Sequence, residues 1–120
     1  MAYPVQNLAV STVATAPSPA TSGTTLVLTT GEGARFADPA TVGSYPASIW
    51  AVGALPTPAN TEIVLVTAKS TDTLTITRAR EGTTARTVIV GDQVAATLTA
   101  AMMADWTAIM NFQLRLQGAF

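Results

Sequence analysis

Residues Glu62–Val94 read EIVLVTAKSTDTLTITRAREGTTARTVIVGDQV, and this stretch decides the fold class. Two β-rich runs, Ile63–Thr67 and Thr73–Arg78, flank a polar turn at Lys69–Asp72. In the second run Leu74 and Ile76 alternate with Thr73, Thr75 and Thr77. That two-residue period belongs to a strand with one buried face and one wetted face. Between Thr61 and Ala68 one parity is Ile63, Leu65 and Thr67 and the other is Glu62, Val64 and Val66; the pattern leaves both open. A loop at Ala79–Ala85 follows, then strands are expected at Thr87–Val90 and Gln93–Leu98 around a Gly91-Asp92 turn.

Upstream, Thr24–Thr30 reads as a strand by its β-branched content, ended by Gly31-Glu32-Gly33. Arg35–Ser44 is expected to be a surface loop and Tyr45–Val52 a strand, with Ile49 and Trp50 on opposite faces. Ala54–Asn60 is a proline-rich connection. Residues 1–23 carry Pro4, Pro17 and Pro19, which disfavour a helix, and are expected to form an extended arm, mobile until docked. Val5, Leu8, Val10 and Val13 are compatible with an edge strand within it.

The chain changes character at Thr99. Met102, Met103, Trp106, Ile109, Met110 and Leu114 recur at three- and four-residue spacing, with no proline or glycine before Gly118. Thr99 is the expected N-cap, and Arg115 suits the last turn. Phe112 and Leu116 fall off the main stripe and are candidate interface residues. The expected fold is therefore mainly β: a small antiparallel β-sandwich or partly open barrel over residues 24–98. An arm over 1–23 precedes it and one C-terminal α-helix over 99–120 follows.

At 120 residues the chain fits one domain. Only 11% of it is charged, against a typical value of about 25%, a composition suited to a protein packed against others. The formal net charge of −1 argues against nucleic-acid binding, which needs clustered Lys and Arg. No run of about 18 apolar residues marks a membrane span. The N-terminus has no basic region ahead of an apolar core, so no secretory signal is expected.

His and Cys are both absent, which removes the usual zinc site, Ser-His-Asp triad and thiol nucleophile. The seven carboxylates are isolated in sequence and form no calcium loop. The expectation is a non-enzymatic protein with no metal and no cofactor.

Two further constellations have alternative readings. Arg78, Arg80 and Arg86 gather around Glu81. Arg80 and Arg86 are interface candidates toward a neighbouring subunit's carboxylates; alternatively, Glu81 pairs with Arg78 or Arg86 and pins the loop locally. Trp50, Phe36 and Tyr45 are a candidate sugar-stacking platform, or else core and interface anchors, with Trp50 the interface candidate.

The segment Thr24–Trp106, most specifically the Leu74–Ala85 motif LTITRAREGTTA, resembles a small β-domain of tailed-bacteriophage virion proteins. The resemblance implies a structural part of the virion, made in the host cytoplasm and assembled into the particle. Its implied partners are itself, as a homotrimer, and other virion proteins such as the major capsid protein. Capsid decoration is the first expectation. Tail, neck or fibre attachment is the alternative, set second because fibre proteins of this kind continue into a long distal region whereas this sequence stops at Phe120. A host-glycan binding module is the third.

Overall fold

The computed structural model describes residues 6–105 together with Thr107, Met110 and Asn111. Six antiparallel strands close into a barrel: β1 (Val10–Thr15), β2 (Thr25–Leu28), β3 (Tyr45–Trp50), β4 (Glu62–Ser70), β5 (Thr73–Arg80) and β6 (Gln93–Ala96). Around the barrel they run β1-β2-β5-β4-β3-β6, and β6 returns to pair with β1. Of the two expected architectures the barrel is the one formed, and closure leaves no free sheet edge. A C-terminal helix follows at 100–105.

Alternation builds the interior. Leu74 and Ile76 of β5 point inward while Thr75 and Thr77 are exposed, as the threonine–aliphatic pattern requires. In β4 the inward parity is Glu62, Val64 and Val66, all fully buried. Leu26 and Leu28 of β2, Val13 of β1, Val94 of β6 and Tyr45, Ala47 and Ile49 of β3 complete the core. Trp50 sits half-buried on the opposite face from Ile49.

Three expectations change. Residues 10–15 are not part of a free arm. Strand β1 lies between β2 and β6, with Ser11 and Val13 buried inside the barrel. The prolines that argued for an arm lie outside this strand: Pro17 and Pro19 follow it, and Pro4 precedes the described residues. Residues 35–44 are not a plain surface loop either. A 3-10 turn (Glu32–Arg35) and a short helix, α1 (Pro39–Val42), seat Phe36 in the core. Lys69 Nζ holds this segment by donating to the carbonyls of Gly33 and Phe36, both at 2.9 Å. Finally, Thr87–Val90 is not a strand: only Val88 is buried, and the segment closes in a turn where Asp92 N–H donates to Ile89 O at 3.1 Å. With β1 and β6 paired, the sheet offers this run no edge to join.

The helix starts as expected: Thr99 Oγ1 accepts from Met102 N at 3.3 Å, an N-cap to the third helical residue. Met102 reaches the apolar core, but Met103 and Met110 are exposed by 46% and 64%, so they do not share its seat. Trp106, Ile109, Phe112, Leu114 and Leu116 lie outside the described residues.

Candidate functional site

Antiparallel pairing brings three loops to one end of the barrel. Strands β1, β3 and β5 end there and β2, β4 and β6 begin there, so residues 16–24, 51–61 and 81–92 form a single rim. Beneath that rim the inward parity of two strands turns from aliphatic to charged. Glu62 continues the Val64–Val66 parity, and Arg78 continues the Leu74–Ile76 parity. A register shift between Ile63 and Leu65 accompanies a left-handed Ala79 (φ 51), consistent with a bulge that ends regular alternation at this point.

Glu62 has no exposed surface, and its carboxylate is fully engaged. Oε1 accepts from Arg78 Nη2 at 2.8 Å and Arg86 N at 3.0 Å; Oε2 accepts from Arg78 Nε and Ala79 N, both at 2.8 Å. The remaining Arg78 donors reach the carbonyls of Ala20 (3.1 Å), Gly23 (3.0 Å) and Arg86 (2.8 Å). All five guanidinium N–H groups therefore have a partner. Arg86 in turn binds Asp92 Oδ2 through Nε (3.2 Å) and Nη2 (2.9 Å), and donates from Nη1 to Asn60 O at 3.0 Å. Asp92, also buried, accepts from Ile89 N at 3.1 Å.

The network is a clasp. One arginine ties residues 16–24 to β4, β5 and the 81–92 loop, and the other ties 81–92 to 51–61. Its energetic logic is saturation: a charge taken from water is tolerable only when paired and hydrogen-bonded on all sides. Among the described residues no buried side-chain polar atom lacks a partner. A catalytic carboxylate needs a free lone pair facing a cleft, and Glu62 has none to offer.

The local clamp reading of the arginines holds in kind, with different carboxylates. Arg78 and Arg86 pair with Glu62 and Asp92, not with Glu81. Glu81 instead accepts from Ala101 N at 3.2 Å and so touches the start of the C-terminal helix. Within the chain, Arg86 is engaged by the clasp through Asp92 and Asn60. Arg80 remains exposed, and with Glu81, Pro46, Leu65, Met102 and Asp105 it lines a cleft of about 340 Å³ between barrel and helix. The motif threonine Thr83 serves the turn: its hydroxyl accepts from Ile63 N at 3.0 Å and donates to Arg80 O at 2.7 Å. Left-handed Glu81 and Gly82 (φ 53 and 78) sit at its centre.

The aromatic platform is not formed. Phe36 and Tyr45 are fully buried, and Tyr45 Oη donates to Ala37 O at 2.7 Å. Burial, aided by the negative charge of Asp38, pushes the Tyr45 hydroxyl up to about 12. Neither ring has a face to offer a sugar. Phe112 and Leu116 lie outside the described residues.

Burial alone would raise the Glu62 carboxyl above its ordinary 4.5. The Arg78 hydrogen bonds, the Arg86 and Ala79 N–H groups and the Arg78 charge together outweigh it and leave the group lowered. Asp72 is also lowered, by the N–H groups of Gly31 and Gly33. A carboxylate whose folded pKa is depressed contributes stability above its unfolded value and loses it as pH falls through the folded one. Chemical unfolding at a series of pH values should show stability falling once pH drops below about 4.5. The slope in that range should be shallower in Glu62→Gln; an unchanged slope would assign the acid sensitivity elsewhere.

The sequence matches no family model, and no curated protein matches it.

Proposed function

We propose that this chain is a non-enzymatic structural protein of a tailed-phage virion, joined to its neighbours through protein surfaces. The observation that carries this reading is the saturated clasp. The largest investment of buried charge in the described structure holds loops in place and presents no reactive group. The sparse surface charge and the resemblance of the Leu74–Ala85 motif support the same reading. Capsid decoration fits a small closed barrel. Tail, neck or fibre attachment is favoured by one specific feature: beyond Met102 the described helix residues are exposed, including Met103 and Met110. A barrel followed by helix residues that expose two methionines suits a module mounted on an assembly.

Copy number per particle separates the two positions. Hundreds of copies by quantitative mass spectrometry mean decoration, and a handful mean tail, neck or fibre. Absence of the protein from purified particles would refute both. The helix has its own test. Met103→Ser with Met110→Ser should leave the barrel's circular dichroism and melting unchanged while weakening incorporation into particles. Normal incorporation of that variant would remove the helix from the attachment.

A further inference from the structure

The clasped rim carries four exposed apolar side chains: Val52 (66% exposed), Leu55 (83%), Ile89 (56%) and Val90 (65%). Together they present roughly 400 Å² of apolar surface, the size of the largest, often functional, patch on a typical monomer. A stable interface buries about 800 Å² on each partner, a little over half of it apolar, so these four fit the apolar centre of one contact of standard size.

The loops that carry them are held before any partner arrives. Arg78 and Arg86 anchor all three, Val88 N donates to Ala20 O at 3.3 Å, and Asn60 braces its own loop by donating to Leu55 O at 3.0 Å and accepting from Thr57 N at 2.8 Å. Pro56 and Pro58 stiffen it further. Pre-ordered loops lose little conformational entropy on binding, which is the largest avoidable cost of association.

We infer that this rim is a contact surface for a second copy of the chain, packed rim to rim. Charge favours that occupant. In a two-fold contact the same patch is used twice, so any net charge it carries is repelled by its copy. Residues 51–61 contain no charged side chain. The charged residues of the clasp are internally neutralised, Arg78 by Glu62 at 2.8 Å and Arg86 by Asp92 at 2.9 Å. Arg80 and Glu81, at the rim's edge, are adjacent and opposite in sign. A neutral, apolar surface offers nothing to a polyanion or a lipid headgroup and imposes no repulsion on its copy. This pairing does not depend on the virion reading and stands or falls separately from it.

Sedimentation equilibrium of the purified full chain tests it. Self-association is expected across a concentration series, little changed between low and high salt because no net charge is brought together. Leu55→Asp with Val90→Asp should weaken it by at least about tenfold, as loss of central anchors does, with melting unchanged because both residues are exposed. A chain that stays monomeric throughout would overturn the inference and leave the rim to another kind of partner. So would an association untouched by this variant but abolished by Met103→Ser with Met110→Ser. If the aspartate variant folds poorly, the absence of native cysteine provides a second measurement. Leu55→Cys should cross-link between copies with a short bis-maleimide far more than Thr77→Cys on the barrel wall, and equal yields would count against the contact.

Discussion

Replacing Arg78 with Met is expected to cost about 3–5 kcal/mol of folding stability, the range for breaking one side of a buried ion pair. Methionine keeps an unbranched apolar stem but removes all five donors. The Glu62 carboxylate is left charged and buried, and the carbonyls of Ala20, Gly23 and Arg86 lose their partner. Urea unfolding followed by circular dichroism measures the loss. Glu62→Gln should cost less, about 1–3 kcal/mol, because an amide keeps an acceptor oxygen while losing the charge. The double variant should be less destabilised than the sum of the two singles, since neither partner is then orphaned. A loss below about 1 kcal/mol for Arg78→Met, the level of a solvent-exposed pair, would mean that the clasp does not hold the barrel.

The second large effect belongs to the aliphatic interior. Leu74→Ala and Ile76→Ala should each cost about 2–5 kcal/mol through lost burial and the cavity left behind. Leu74 is completely buried and pairs with Leu26 across the β2–β5 ladder, so the barrel has little freedom to close over the gap. Thr75, between them in sequence, faces outward opposite Thr25, and Thr75→Ala should stay within about 0.5 kcal/mol. Equal, small effects at all three positions in the same unfolding experiment would show that the inward and outward faces have been misassigned.

These two sites differ in how far the sequence could reveal them. The Leu74–Ile76 face is legible because its signal is local: side chains two residues apart share a face whatever the strand pairs with. The Thr99 cap and the turns at Gly31 and Gly82 are legible for the same reason, each being set by a few consecutive residues. The clasp was half visible. Glu62 shares the parity of Val64 and Val66, and Arg78 that of Leu74 and Ile76, so following both parities to their ends would have placed an acid and a base inside together. Sequence proximity alone points the arginines toward Glu81, which lies three residues from Arg78. The carboxylate Arg78 uses lies 16 residues away across a hairpin.

Composition and alternation by themselves determined that this is a mainly β chain with a helical C-terminal start, short of charge and without the side chains of zinc or thiol chemistry. Tertiary structure alone decided that the sheet closes, and closure rearranged the readings that depended on edges. Residues 10–15, ambiguous as an isolated strip, became a strand because β2 and β6 each needed a partner. Thr87–Val90, apolar enough for a strand, became a loop because no edge remained to receive it. Phe36 and Tyr45, as able to stack on a ligand as to fill a core, were drawn inside by the space the barrel had to fill. Backbone pairing and packing join residues far apart in the chain, and a local pattern carries no information about which distant partner is free.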